Sequence, residues 1–141
     1  MKPGPGTYAL ILQSQLTASV QIGHWRQIDI EPGYYIYVGS AFGPGGVRAR
    51  VSRHLRTDKP KHWHIDYLRE FVTPLAVWIS YEPEQLEHQW AQAFYDKGET
   101  SPIQGFGCSD CRCFSHLFYT VATPDATWLN QIDLSLLSLV R

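Results

Sequence analysis

Between Tyr34 and Leu55 the chain changes its hydrophobic period, and that change restricts it to a strand handed directly to a helix. Tyr34-Tyr35-Ile36-Tyr37-Val38 is a run of β-branched and aromatic residues ending in Gly39-Ser40, the composition of a strand. Gly43, Pro44, Gly45 and Gly46 break it. From there Val47, Val51 and Leu55 recur every four residues, which predicts one apolar helical face. Arg50, Arg53 and His54 are expected on the other side, flanked by Arg48 and Arg56. From Arg48 to Lys61 the cations Arg48, Arg50, Arg53, Arg56, Lys59 and Lys61 stand against the single acid Asp58. They are half of the 12 lysines and arginines, and so local a concentration asks for a polyanion.

The bulk charge narrows that partner. A formal net charge of -1 argues against a non-specific nucleic-acid coat and leaves room for one local basic face. A chain of 141 residues, 44% hydrophobic and 18% charged, is expected to form one globular domain with a proper core. No segment approaches the ~20 apolar residues that would cross a bilayer, so no membrane partner is expected. Met1-Lys2-Pro3-Gly4-Pro5-Gly6 has no long apolar run behind it, which predicts no signal peptide and a cytoplasmic location. There the 3 cysteines are expected as thiols or metal ligands.

The remaining elements follow in order. Gly6 to Leu12 reads as a buried strand, and Thr17 to Ile22 and Trp25 to Ile30 alternate as hairpin partners. Glu31-Pro32-Gly33 is a turn leading into the tyrosine strand. Lys61 to Phe71 predicts a second helix, with Trp63, His64, Tyr67, Leu68 and Phe71 inward. Leu75 to Tyr81 is a core strand, and Pro83 opens a third helix to about Tyr95, with Glu84 and Glu87 in its early turns. A loop from Gly98 to Gly107 and a strand from Leu117 to Val121 follow. Trp128, Ile132 and Leu136 predict a C-terminal helix within 124–140. The expected fold class is α/β (α+β), a small antiparallel sheet of three or more strands flanked by helices. Residues 1–123 would form the domain, with 124–141 packed on it.

Gly6-Thr7-Tyr8 opens one strand and Tyr37-Val38-Gly39 closes another, with an Arg-bearing helix directly after. Together these resemble the GIY-YIG nuclease superfamily, with Thr7 in place of that family's Ile. The resemblance continues through Arg50-Val51-Ser52-Arg53-His54 and Lys61-His62-Trp63-His64-Ile65-Asp66-Tyr67. The run Gly105-Phe106-Gly107-Cys108-Ser109-Asp110-Cys111-Arg112-Cys113-Phe114-Ser115-His116-Leu117 is similar to the branch found alone or fused to endonuclease III, a base-excision enzyme. That branch more usually has Ser at the position of Cys108. The resemblance spans roughly Gly6 to Tyr119.

It implies a metal-dependent endonuclease acting on DNA, in DNA repair, with a repair glycosylase as a partner. Tyr8 would take a proton from the attacking water or position that water. Tyr37 would hydrogen-bond the water or the scissile phosphate. Arg50 would present its fork to a phosphate oxygen, and His54 would assist one turn on. Glu87 would hold one Mg²⁺ or Mn²⁺, with Glu82 and Glu84 as competitors for that role. Arg48, Arg53, Arg56, Lys59, Lys61, His62 and His64 are the expected nucleic-acid-binding residues. The alternative is a non-catalytic nucleic-acid-binding module of the same fold. The oligomeric state is not legible.

Cys108, Cys111, Cys113 and His116 could satisfy a tetrahedral Zn²⁺. One residue between Cys111 and Cys113 is tight for two ligands of one ion, and the domain is large enough not to need a metal staple. The rival readings are a packed loop with buried cysteines, or an extension of the catalytic site by His116 and Asp110 with His62, His64 and Asp66. A zinc-organised protein-interaction domain is a third functional class.

Overall fold

The computed structural model describes residues 1–108, 113–129 and 135–138, with Ala126 and residues 135–138 described by backbone alone. Its first half holds β1 (Gly6–Ser14), β2 (Ala18–Ile22), β3 (Arg26–Ile30), β4 (Gly33–Ala41), α1 (Gly46–Leu55) and α2 (His64–Leu68). Then come β5 (Thr73–Ser80), α3 (Glu87–Asp96), β6 (Ser101–Pro102), β7 (Leu117–Thr120), a 3-10 turn (Ala126–Leu129) and β8 (Ser135–Ser138). Every strand pairing is antiparallel. Six strands form one sheet in the order β6-β7-β4-β1-β5-β8, and β2 and β3 pair separately as a hairpin. The protein is thus an α+β domain, as its periodicities predict. Among the described residues no helix is long and apolar enough to cross a membrane.

β1 lies inside the sheet and is covered on both faces, which is why its apolar run is nearly continuous. One face carries Tyr8, Leu10 and Leu12 and packs against the β2–β3 hairpin, Val47 and Val51 of α1, and Ile65 and Leu68 of α2. The other carries Ala9 and Ile11 and packs against Trp90, Ala91 and Phe94 of α3, with Ile36, Val38, Trp78 and Phe118.

Four predicted elements differ, the first being the loop expected from Gly98 to Gly107, which contains β6 paired with β7. The second helix is only His64–Leu68. The buried Asp66 carboxylate accepts the His62 and Trp63 backbone N–H groups, so the chain before His64 is an extended cap. Phe71, expected inward, is 41% exposed. The third helix begins at Glu87, because the Leu86 N–H is held in a buried hydrogen bond to Thr7 Oγ1 (3.1 Å) instead of continuing a helix from Pro83. The predicted C-terminal helix is, where described, the 3-10 turn and β8, which pairs with the outer edge of β5. A short apolar run fits either period, and an available sheet edge selected the extended one.

Candidate active site

Antiparallel register sets Tyr8 opposite Gly39 and Leu10 opposite Tyr37. Residues two apart on a strand share a face, so Tyr8 and Tyr37 lie on one side of the sheet. Gly39 makes room for Tyr8: a Cβ there would collide with the phenol's Cζ and hydroxyl.

α1 arrives over these tyrosines with its N-terminus capped by the N-terminal arm. Val47 N donates to Gly4 O (2.9 Å) and Arg48 N to Lys2 O (3.2 Å). Its buried stripe is Val47, Val51 and His54, not Val47, Val51 and Leu55 alone. His54 therefore sits inward, 1% exposed, with Nε2 2.7 Å from the Tyr8 hydroxyl. This corrects its expected place beside Arg50 on the outer side, because a 4-then-3 spacing keeps position 54 on the stripe.

His54 Nδ1 is buried and has no hydrogen-bond partner among the described residues. Burial, and next the Lys59 charge, lower its pKa from 6.5 to about 3, so the ring is neutral. A neutral ring has one N–H, and an orphaned buried N–H is rarer than an orphaned acceptor. The favoured tautomer thus carries the proton on Nε2 and donates it to the Tyr8 oxygen. Burial, then the neighbouring Tyr37, raise Tyr8 well above the usual phenol value of 10.0, while Arg50, also in hydrogen-bond range, opposes the shift. Burial, then Glu87, push Tyr37 up as well.

Arg50 donates through Nη1 to Ser40 O at 3.3 Å and lies 4.5 Å over the Trp63 ring. Glu87, the first residue of α3, places Oε2 3.0 Å from His116 Nδ1. Burial pushes the Glu87 carboxyl up, but hydrogen bonds from His116 and the Ser40 side chain outweigh it and hold the group below its usual 4.5. Glu82 and Glu84 are exposed in the segment before α3. His116 Nδ1 also faces Val38 O at 3.2 Å. Ser40 therefore meets the arginine through its carbonyl, and its side chain helps to hold the acid ionised.

The basic stretch divides. Arg53 makes a two-pronged pair with Asp66, at 2.9 and 3.0 Å, and stacks 4.4 Å over Trp63. Lys59 has a side chain only 3% exposed and donates to the carbonyls of Arg53, His54 and Arg56 at the end of α1. These two expected phosphate ligands are engaged with the protein, since helix C-terminal carbonyls and a buried acid need cations more locally than a distant ligand does. His64 is also engaged: its Nδ1 accepts the Gly107 N–H at 2.9 Å, and its ring stacks 4.5 Å from Trp25. Arg48, Arg56, Lys61 and His62 are exposed, with Lys61 paired to Glu70 at 2.7 Å. A cavity of about 150 Å³ lined by Tyr37, His62, Trp63, His64 and Gly107 opens beside the tyrosines.

Cys111 and Asp110 lie outside the described residues. Among those described, the cluster able to hold a metal is His88, Cys113 and His116, whose ligand atoms lie within 4.8 Å of one another. Cys108 is not a member, and its thiol donates to Phe106 O at 3.4 Å. Sequence reading missed Thr7 as an anchor, Ser40 as a bridge and His88 as a neighbour of the cysteines. Ser40 could have been found, since it directly follows Tyr37-Val38-Gly39; His88 carries no sequence signal beyond following Glu87.

Residues 7–134 match the family described as "Domain of unknown function DUF123". No curated protein and no solved structure matches the chain.

Proposed function

Since the chain belongs to the DUF123 family, whose function is unknown, we propose from its own residues that it is a divalent-cation-dependent endonuclease hydrolysing phosphodiester bonds in DNA. The observation that carries this reading is the buried Tyr8–His54 pair at 2.7 Å, with the Arg50 charge acting on the same phenol. The His54 N–H and the nearby guanidinium charge stabilise the phenolate, while burial keeps the ionised fraction small at neutral pH. The phenolate takes a proton from the attacking water. Tyr37, on the same face, hydrogen-bonds that water or the scissile phosphate. Arg50 turns its fork to a phosphate oxygen, where planar bidentate geometry suits it better than a lysine.

The donor set at Glu87 fits a hard cation such as Mg²⁺ or Mn²⁺, which takes oxygen ligands and keeps several waters. Glu87 is the carboxylate whose charge is felt by both Tyr8 and Tyr37, and His116 and Ser40 hold it ionised. When bound, the cation supplies positive charge at the leaving oxygen.

One observation favours a second reading, a DNA-binding module without catalysis: Tyr8 is only 1% exposed. In the enzyme, the substrate phosphate draws Arg50 away from Ser40 O and Trp63 and uncovers the phenol. The deciding experiment is cleavage of labelled duplex, nicked, branched and single-stranded DNA with Mg²⁺, Mn²⁺ or EDTA. Cation-dependent cutting lost in both Arg50→Ala and Tyr8→Phe supports the nuclease, and preference for nicked or branched DNA supports a role in repair. Salt-sensitive binding without cutting would establish the second reading.

A further inference from the structure

We propose that His88, Cys113 and His116 form a Zn²⁺ site, separate from the hard-cation position at Glu87 and joined to it through His116. His88 comes from the first turn of α3, and Cys113 and His116 from the segment entering β7. Their ligand atoms lie within 4.8 Å of one another, and His88 Nδ1 is 2.9 Å from Cys113 Sγ. The two imidazoles meet edge to face, with centroids 6.0 Å apart at 76°, so they do not stack. A tetrahedral Zn²⁺ with Zn–N of about 2.0 Å and Zn–S of about 2.3 Å sets its ligand atoms roughly 3.3–3.5 Å apart. The His88–Cys113 pair is shorter than that, and His88, which is exposed, can take up the small opening that the ion requires.

The donor types select the ion. One thiolate and two imidazoles suit Zn²⁺, whereas Mg²⁺ and Ca²⁺ require oxygen. His116 is oriented as metal-binding histidines are: its Nδ1 meets the Glu87 carboxylate and Val38 O, and Nε2 would be its ligand atom. A carboxylate behind the imidazole fixes its tautomer and raises its basicity. Three protein ligands leave a fourth position to water or a further side chain. A cavity of about 190 Å³, lined by Ala91, Gln92, Tyr95, Cys113, Phe114 and Ser115, opens against the thiol. A Zn²⁺ on Nε2 polarises the Nδ1–H and tightens its bond to Glu87, so the soft site steadies the acid.

The assignment rests on these contacts and not on the nuclease reading. Its test is titration of the chelator-stripped full chain with Zn²⁺ and, for its spectrum, Co²⁺. The expected result is one ion per chain, with a thiolate-to-cobalt charge-transfer band in the near ultraviolet. Cys113→Ser should lose that band, and His88→Ala should weaken Zn²⁺ binding by about tenfold or more while keeping its far-ultraviolet dichroism. A Co²⁺ form without the thiolate band, or His88→Ala binding Zn²⁺ like the parent, would overturn the site. Either failure would leave DNA cleavage as it was, and an inactive protein that still binds Zn²⁺ in this way would retain the site.

Discussion

A single hydroxyl places the candidate acid. Thr7 Oγ1 accepts the Leu86 N–H at 3.1 Å, and the next residue is Glu87. Thr7→Val keeps the shape and orphans that N–H, so chemical denaturation should show a loss of about 1–3 kcal/mol, with kcat for cleavage falling more than KM changes. Tyr8 makes a sharper prediction. Its pKa is raised by burial, so the phenolate fraction grows with pH and cleavage should climb about tenfold per pH unit from 7 to 9 without a plateau. A flat profile would show that Tyr8 only positions the water. His54 acts on stability with the opposite limb. Its folded pKa is depressed from 6.5 to about 3, so its contribution is fully present above pH 6.5 and is lost as pH falls toward 3. The slope is about 1.4 kcal/mol per pH unit. His64, lowered by burial and Arg26, adds to the same window. Urea melts between pH 6.5 and 5 should show the decline, shallower in His54→Gln.

At the scale of elements, the α1–α2 junction is held by charge as well as by apolar packing. Asp66, 2% exposed, accepts from Arg53 twice and from two backbone N–H groups, with Lys59 3.8 Å away. Arg69 adds its guanidinium to the carbonyls of His54, Leu55 and Val72. The end of α1 is thereby covered by cations, the sign its dipole favours. Asp66→Ala removes one partner from a buried pair and should cost about 3–5 kcal/mol in an equilibrium melt. Within this junction Arg53 and Lys59 already serve Asp66 and helix carbonyls, so the basic run holds fewer uncommitted cations than its composition suggests. The cations were legible as such, but the commitment of Arg53 was not, because its acid partner Asp66 lies 13 residues on.

For the whole molecule, the sheet ends on β8, which covers the outer edge of β5. A chain stopped after Leu129 leaves that edge unpaired, and such edges recruit other strands. Gel filtration should show concentration-dependent association of the truncated chain, and its thermal midpoint should fall. The strands β1, β4, β5 and β7 were legible in the sequence from β-branched and aromatic runs bounded by turn residues, and the helix α1 from its four-residue apolar repeat. Tertiary structure decided what period leaves open: whether Ser135–Ser138 extends, where α3 begins, and which cations have partners. It also brought His88 beside Cys113 and Glu87 beside His116, since a shared site between distant segments depends on sheet order and on hydrogen bonds that no local pattern encodes.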